Sequence, residues 1–278
     1  MARTIRDMTI VITGASAGIG MALAQSLSEK GARLVLAARR IDRLEALNAS
    51  LGGKHLCVQT DVAHREDCEM LIAKSSEHLG RIDTLVCNAG YGILRSVSET
   101  SAEEFQQIFQ TNVFGTTDCI RPAVPIMLKQ KLRDGYRGQI MIISSAAARR
   151  GLPYVGAYSA TKATQLSLAE ALRIELKPSR IAVTSVHPIG TQTEFFQVAE
   201  NTSGRLIDAP GKGLHRHSVD RVVRGMVRAI EKPKREVWSS PLTRMLLAMN
   251  AMMPSLGDLA MSKARDDFER INQIKPPA

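Results

Sequence analysis

Aromatic residues and cysteines are scarce in this chain of 278 residues. Phe, Trp and Tyr together make up 4% of the sequence, so we expect a core of aliphatic side chains and methionine. The four cysteines lack the CxxC spacing of redox and zinc sites (Cys57, Cys68, Cys87 and Cys119). This pattern argues against a disulfide framework and a metal site, and it favours a reducing, cytoplasmic location.

Long apolar runs are lacking as well. No stretch approaches the roughly 20 consecutive apolar residues that a membrane-spanning helix needs. The N-terminus leads straight into an apolar strand pattern and has no separate apolar region of a secretion signal. Hydrophobic residues nevertheless make up 44% of the chain, which is enough for a packed core. We therefore expect a soluble globular protein whose length fits one large domain.

Acidic residues are too few to balance the basic ones, and the formal net charge is +10. Residues 121–150 carry seven Lys or Arg against one Asp, and residues 203–236 carry nine against four acids. Such segments are either a solvated surface or a means of attracting anions: cofactor phosphates, an acidic substrate or a membrane surface. No nucleic-acid-binding motif accompanies them, so nucleic acid is not an expected partner.

Short apolar runs alternate with longer helical patterns along most of the chain. The strands are continuously apolar, as expected for a parallel sheet that helices cover on both faces. The sequence therefore predicts a single α/β domain of the doubly wound Rossmann type with about seven parallel strands. The predicted strands are 8–13, 33–37, 55–59, 83–87, 139–143, 181–187 and 235–238; the predicted helices are 18–30, 40–51, 64–79, 101–131, 158–177 and 218–231.

A glycine-rich loop follows the first predicted strand and opens the first helix. Gly14 permits a tight turn, while Gly18 and Gly20 let a diphosphate approach the helix N-terminus. Free backbone N–H groups and the helix dipole bind anions there. The spacing is GxxxGxG, and a plain structural turn is the alternative. Its place between a strand and a helix favours dinucleotide binding.

The second predicted strand ends in Ala38, Arg39 and Arg40. A site that prefers NAD places a carboxylate here, where it accepts a hydrogen bond from the adenosine ribose. Alanine leaves room for a 2′-phosphate and arginine offers a bidentate donor to it. The alternative is a solvated helix start, but the residues favour NADP(H).

Two further segments are predicted to reach the same edge of the sheet as the glycine loop. Asp61 and Val62 follow the third strand, and Asn88, Ala89 and Gly90 follow the fourth. The carboxyl ends of parallel strands form the ligand edge of a doubly wound sheet. By itself, the second segment is equally compatible with an ordinary turn.

Tyr158 and Lys162 stand four residues apart at the opening of a long helical pattern, which puts them on one helical face. An ammonium beside a phenol favours the phenolate, so we expect Lys162 to lower the pKa of Tyr158 and suit it to acid/base catalysis. Ser145 ends a buried strand thirteen residues before Tyr158, where its hydroxyl can bond to a reacting carbonyl.

Over residues 8–240 the chain resembles the short-chain dehydrogenase/reductase family. The resemblance depends on ordered motifs: Thr13 to Gly20, Asp61, Asn88-Ala89-Gly90, Asn112, Ser145, and Tyr158 with Lys162. It implies a catalytic tetrad of Asn112, Ser145, Tyr158 and Lys162. In that family the Tyr exchanges a proton with the substrate oxygen, the Ser orients the substrate, the Lys binds the nicotinamide ribose, and the Asn holds a water that links the Lys to solvent.

The predicted cofactor contacts combine these motifs with the segment after the sixth strand, where family members carry Pro-Gly-x-Val-x-Thr. In this chain Ile189 replaces the first glycine of that motif. The loop near 129–138 is also several residues longer than in typical members. The predicted contacts are Gly14, Ser16, Gly18, Ile19, Gly20, Arg39, Arg40, Asp61, Val62, Asn88, Ala89, Gly90, Tyr158, Lys162, Pro188, Gly190 and Thr193.

The C-terminal segment, residues 241–278, is predicted to be a helical extension of a catalytic domain spanning 1–240. Residues 242, 245, 246, 249, 252 and 253 form one apolar helical face, and Pro254 interrupts the helix. This face has three interpretations: packing on its own domain or a partner subunit, a cover for the substrate pocket, or contact of 241–261 with a membrane surface. Residues 242–278 carry five bases and four acids, a balance that disfavours the membrane.

Three functions are compatible with the motifs. The first is an NADP(H)-dependent carbonyl reductase or alcohol dehydrogenase whose specificity depends on a loop near 191–217. The second is a 3-oxoacyl thioester reductase whose basic segments dock an acyl carrier. The third is a catalytically idle NADP-binding regulator, which the complete tetrad disfavours. The resemblance also implies a homodimer or homotetramer, paired through the helices near 101–131 and 158–177.

Overall fold

The computed structural model describes residues 2–190 and 218–272. The predicted specificity loop near 191–217 lies outside these residues, as does Thr193. Within the described ranges, no helix is both long and apolar enough to cross a membrane.

Seven parallel strands form one sheet in the order β3-β2-β1-β4-β5-β6-β7. The order runs outward from β1 in both directions, with β2 and β3 on one side and β4 to β7 on the other. The connections that leave β1 and β4 therefore diverge, and a crevice forms at the carboxyl ends of these two strands. The predicted doubly wound fold and its seven strands are confirmed. The strands are β1 (Thr9–Thr13), β2 (Arg33–Ala38), β3 (Leu56–Gln59), β4 (Thr84–Cys87), β5 (Gly138–Ile143), β6 (Ile181–His187) and β7 (Glu236–Trp238).

The central strands are apolar throughout because helices cover both faces of the sheet. Along β1, Ile10 and Ile12 face one apolar layer with Leu23 of the first helix, while Val11 faces the other layer with Leu71. All five β1 residues are buried. A strand with one solvated face would alternate instead, so this burial accounts for the continuous pattern.

Helices follow the strands in chain order, and one of them differs from its prediction. In the described part of the chain they are α1 (Gly18–Glu29), α2 (Ile41–Ser50), α3 (Arg65–Leu79), α4 (Ala102–Phe109), α5 (Gly115–Lys129), α6 (Gly156–Glu175), α7 (Val219–Glu231), α8 (Pro241–Met252) and α9 (Pro254–Asn272). The single helix expected over 101–131 is divided by a π-helical turn, Gln110–Phe114. Asn112 lies in this turn, which widens the backbone spiral locally.

The two C-terminal helices differ in how they pack. On α9, Phe268 is 3% exposed and stacks on Tyr154 at 4.8 Å between ring centroids. The Tyr154 hydroxyl donates to Glu269 at 2.6 Å. On α8 the predicted apolar face is exposed, with Leu242 at 61% and Met252 at 83%. The extension is thus attached to the segment before Tyr158 through α9, whereas the α8 face meets no core within residues 2–190 and 218–272.

Candidate active site

The glycine loop between β1 and α1 has the backbone that a bound diphosphate requires. Gly14 and Gly18 adopt positive φ angles of 67° and 56°. A Cβ at Gly20 would lie 2.4 Å from the Gly14 carbonyl oxygen, so any larger residue there would force the turn open. Ala17 caps α1 without a side-chain acceptor, and no acid stands in the first turn. The helix N-terminus therefore presents N–H groups and positive potential to an anion.

Asn88 holds this loop in place from the neighbouring strand. Its side-chain amide donates to the carbonyls of Thr13 at 2.9 Å and Gly14 at 3.2 Å. In return, the Thr13 hydroxyl accepts the backbone N–H groups of Asn88 and Ala89 at 3.0 and 3.1 Å. The Asn88-Ala89-Gly90 segment is thus more than an ordinary turn, because it shapes the glycine loop.

The end of β2 brings two arginines to the same edge. Ala38 is nearly buried, whereas Arg39 and Arg40 are exposed. The Arg40 guanidinium donates to the Ser16 hydroxyl at 3.4 Å, inside the glycine loop. Burial raises the pKa of Tyr91, and the positive charge of Arg39 opposes that rise. Both arginines therefore carry their charge toward the glycine loop and the residues that follow β4.

The third strand contributes Asp61 and Val62. One Asp61 oxygen accepts the Ala63 backbone N–H at 3.0 Å, and the Asp61 N–H donates to the Asp67 carboxylate at 2.8 Å. Val62 is buried, and a Cβ at Gly115 would lie 2.6 Å from its carbonyl oxygen. The Val62 carbonyl thus lies so close to the Gly115 backbone that the Asp61 turn packs directly against the start of α5.

Ser145 and Tyr158 come together at the carboxyl end of β5. The Ser145 hydroxyl is hydrogen bonded to the Tyr158 phenol and also accepts the Ala147 N–H at 3.1 Å. The neighbouring Ser144 hydroxyl donates to the Lys162 carbonyl at 2.8 Å and is buried. Of the two serines, Ser145 is therefore the one whose hydroxyl faces the phenol, in keeping with the spacing argument.

The expected lowering of the Tyr158 pKa by Lys162 is wrong for this arrangement. Part of the Tyr158 side chain stays accessible, but burial around its hydroxyl raises the pKa to about 12, against the lowering effect of the Ser145 hydrogen bond. The Lys162 nitrogen lies 5.5 Å from the centroid of the Tyr158 ring. The sequence spacing predicted the shared face correctly, but desolvation sets the direction of the Tyr158 pKa, and Lys162 is not among the groups that shift it.

Lys162 is buried and held by two acceptors. Its ammonium group donates to the Ile143 carbonyl and to the Gln165 side-chain oxygen, both at 2.8 Å. Burial lowers the pKa of Lys162 to about 7. Gly90 lies beside it, since a Cβ there would be 3.7 Å from the Lys162 nitrogen and 2.8 Å from the Asn112 side-chain oxygen. A glycine at position 90 thus lets the backbone pass close to the Asn112 side chain beside Lys162.

Asn112, the fourth residue of the predicted tetrad, is fully buried. Its side-chain oxygen accepts the Tyr91 N–H at 3.0 Å, and its amide donates to the Tyr91 carbonyl at 2.9 Å and to Thr161 at 3.0 Å. The side chain therefore fixes the segment after β4 to α6. The structure brings all four predicted tetrad residues to one edge of the sheet.

His187, at the end of β6, is a site residue that the motif analysis missed. Its Nδ1 bonds to the Ser145 carbonyl at 3.1 Å, and its Nε2 to the Ser185 hydroxyl at 3.0 Å. Because a carbonyl only accepts, Nδ1 carries the proton. The ring stacks on Trp238 at 4.3 Å, and burial lowers its pKa to about 4. His187 is thus neutral at pH 7 and supports the backbone of Ser145.

The segment after β6 is described only in part. The Pro188 carbonyl accepts the Ala146 N–H at 3.1 Å, which ties it to the turn after Ser145. Gly190 has a φ of 43° and is exposed, so the glycine that remains in this motif takes the left-handed conformation. Over residues 2–190 and 218–272, no group of three or more His, Cys, Asp or Glu is placed to hold a metal ion.

Comparisons with known proteins bear on the family and the fold. A family model described as short chain dehydrogenase matches residues 8–204. An uncharacterized oxidoreductase of Listeria monocytogenes is 32% identical over 239 residues, covering 83% of this chain and 93% of the relative. A short chain dehydrogenase/reductase from Burkholderia phymatum in complex with NAD aligns with a TM-score of 0.79 at 22% identity, over 91% of this chain and 96% of the other. An alcohol dehydrogenase from Thermococcus sibiricus, complexed with 5-hydroxy-NADP, aligns with a TM-score of 0.71 at 27% identity, over 84% and 96%.

Proposed function

The chain belongs to the short-chain dehydrogenase family, and from that membership we propose that it is an NADP(H)-dependent oxidoreductase acting on an alcohol or carbonyl substrate. The observation that carries the proposal is the hydrogen-bonded pair of Ser145 and Tyr158 beside the buried Lys162. These groups stand at the sheet edge where the glycine loop presents its anion-binding backbone.

In this proposal the glycine loop binds the cofactor diphosphate and the arginines bind its adenosine end. Gly14, Gly18 and Gly20 shape the loop, and the α1 N-terminus supplies the N–H donors. Arg39 and Arg40 receive the 2′-phosphate of NADP(H), for which the Ala38 side chain leaves room. When bound, the nicotinamide supplies or accepts the hydride. Among the structures compared, one contains NAD and one an NADP derivative, so these arginines are the basis for proposing NADP(H).

Tyr158 is the proposed general acid for carbonyl reduction. Its pKa of about 12 keeps the phenol protonated at neutral pH, and that is the form that donates a proton to a developing alkoxide. The Ser145 hydroxyl, already bonded to the phenol, orients the substrate oxygen. In alcohol oxidation the phenolate is required, and a protonated Lys162 nearby favours it. Burial by the bound substrate excludes water from the pair and strengthens these interactions.

The experiment that tests this proposal is turnover of a panel of ketones, aldehydes and alcohols, followed by NADPH absorbance. We expect the wild type to reduce at least one carbonyl, and Tyr158→Phe to lose about 10²- to 10⁴-fold in kcat, the usual value of general acid catalysis. Phenylalanine preserves the ring packing, so the variant should bind NADPH as the wild type does. A Tyr158→Phe enzyme that keeps more than about a tenth of the activity would contradict the assigned role.

Two alternatives are separated by the same panel once a 3-oxoacyl thioester, free and carrier-bound, is added to it. A reductase of carrier-bound 3-oxoacyl thioesters would use the basic segment 121–150, where Arg121 is 59% exposed, to dock the carrier. Such an enzyme would reduce a carrier-bound thioester faster than the free one, whereas a carbonyl reductase would not. An NADP-binding regulator without activity would bind cofactor and turn over no member of the panel.

A further inference from the structure

Gln165 is a fully buried polar residue on α6, three positions after Lys162. Residues three apart on a helix share a face, so Gln165 points toward the same interior as Lys162. It belongs to none of the motifs that identify the family. A buried amide carries two donor hydrogens and an acceptor oxygen that all require partners, so its hydrogen bonds define what it holds together.

Both ends of the Gln165 amide are bonded to the site. Its oxygen accepts from the Lys162 nitrogen at 2.8 Å. Its nitrogen donates to the Asn112 carbonyl at 2.6 Å and to the Thr116 hydroxyl at 2.9 Å. The Thr116 hydroxyl in turn donates to the same Asn112 carbonyl at 2.8 Å. One side chain thus connects the Lys162 ammonium to the π-helical turn that carries Asn112.

We propose that Gln165 is a positioning residue that fixes the ammonium group of Lys162 and connects it to the Asn112 turn. This inference depends on the proposed oxidoreductase function for its catalytic consequence, although the contact itself does not. The amide oxygen gives the ammonium an oriented partial negative charge in an interior that offers no water-like solvation. The amide nitrogen, held by two acceptors, prevents that oxygen from turning away.

The surroundings of Lys162 make this acceptor important. Burial lowers the pKa of Lys162 to about 7, so the charged form depends on the acceptors within reach. In the described part of the chain, Tyr158 is the titratable group facing the Lys162 nitrogen, from the preceding turn of α6. The end of β5 presents the uncharged Ile143 carbonyl, and the π-helical turn presents only uncharged groups through Gln165.

Two substitutions at Gln165 shift the protonation equilibrium of Lys162 in opposite directions. Gln165→Met keeps the length of the side chain and removes the acceptor, so Lys162 loses its proton at lower pH. Gln165→Glu keeps an acceptor oxygen and adds a negative charge, so Lys162 keeps its proton to higher pH. A hydrogen bond to a charged group is strong enough to shift the pKa by about one to two pH units.

Gln139→Met is the matched control. Gln139 is also a fully buried glutamine, bonded through its amide to Arg3, Thr184 and the Ala229 carbonyl. It lies near the start of β5, whereas Ser145 follows the opposite end of that strand. The substitution therefore removes an equally buried amide without touching Lys162.

The first test is an NMR titration of protein labelled with ¹³C-lysine, in which the Lys162 Cε resonance is assigned by its loss in Lys162→Met. We expect the pKa of Lys162 to lie about one pH unit or more below the wild-type value in Gln165→Met and above it in Gln165→Glu. In Gln139→Met it should equal the wild-type value. Lys162 titrating alike in the wild type and both Gln165 variants would overturn the proposal. If Gln165→Met does not fold, the Gln165→Glu titration alone decides.

The second test is turnover with a substrate identified by the panel. Gln165→Met should lower kcat about tenfold or more while leaving KM for the carbonyl within about twofold, because Gln165 lies behind Lys162 and away from the substrate. Gln139→Met should retain the wild-type kcat. A shifted Lys162 titration with unchanged kcat would overturn the positioning role. If the wild type turns over no substrate, the proposed function fails, while the titration still decides whether Gln165 holds Lys162.

Discussion

The preference for NADPH over NADH is the prediction that the two arginines after β2 allow us to develop furthest. The double variant Ala38→Asp with Arg39→Leu places a carboxylate where a 2′-phosphate would lie and removes a guanidinium beside it. We expect the wild type to bind NADPH more tightly and the double variant to bind NADH more tightly. The reason is that a carboxylate accepts from the 2′-hydroxyl of NADH but repels the phosphate of NADPH.

The size of this preference follows from the exposure of the arginines. A hydrogen bond to a charged group contributes about 1.5–3 kcal/mol, and exposure to solvent places each of these contacts near the lower end of that range. Arg39 and Arg40 are both exposed, and Arg40 is anchored to Ser16 at 3.4 Å. At about 1.4 kcal/mol per tenfold change, one or two such contacts give a preference of about 10- to 100-fold.

The assay is direct binding of NADPH and NADH at low ionic strength, followed by the fluorescence of the reduced nicotinamide. Added salt should narrow the preference, since exposed charges are screened. Arg33→Asp is the matched control: Arg33 is exposed at the other end of β2, and this substitution lowers the net charge by about two, as the double variant does. Equal affinity of the wild type for both cofactors would show that Arg39 serves only as a surface residue. In turnover the change should fall mainly on KM, because the phosphate binds equally in the ground and transition states.

Two other predictions concern assembly and the C-terminal helices. We predict a homodimer or homotetramer, because apolar side chains remain exposed on the helices through which family members pair. Phe114 is 50% exposed and Ile174 is 71% exposed. A monomeric mass by light scattering at micromolar concentration would contradict this prediction. Phe268→Ala should lower the free energy of unfolding by about 3 kcal/mol because it removes a buried ring that stacks on Tyr154. Leu259→Ala, on the exposed side of α9, should change the free energy of unfolding little. If chemical denaturation finds the two variants equally stable, the packing of Phe268 on Tyr154 does not stabilise the protein.

Much of the fold was predictable because burial and sequence pattern agree locally. The strands read as apolar runs since both of their faces are covered, and helix boundaries coincided with glycines and prolines such as Pro254. The division of the helix near 101–131 was not predictable. A π-helical turn inserts a single residue and leaves an ordinary helical pattern on either side of it. Pro122 and Pro125 lie inside α5 and do not mark the boundary between the two helices.

The candidate site was predictable to the extent that its residues stand in local motifs. Ser145 follows β5, Tyr158 and Lys162 lie in the first two turns of α6, and Asn112 lies in the π-helical turn that packs beside them. Gln165 and His187 were missed because their partners are distant in sequence: Asn112 is 53 residues from Gln165, and Ser145 is 42 from His187. The i, i+3 relation of Lys162 and Gln165 was nevertheless visible on the helix, and it is the signal that a search for polar partners of the lysine would have found.

Burial explains why the side chains behind Tyr158 matter as much as the motif itself. Desolvation raises the pKa of Tyr158 and lowers that of Lys162, so the buried interior favours the neutral form of both groups. In the proposed reaction, alcohol oxidation requires the phenolate and carbonyl reduction generates it, so a charged Lys162 that favours the phenolate assists both directions. The spacing of the two residues cannot provide that charge; acceptors fixed around the ammonium can. The Ile143 carbonyl and Gln165 are such acceptors, and the π-helical turn that anchors Gln165 is therefore part of the electrostatics of the site.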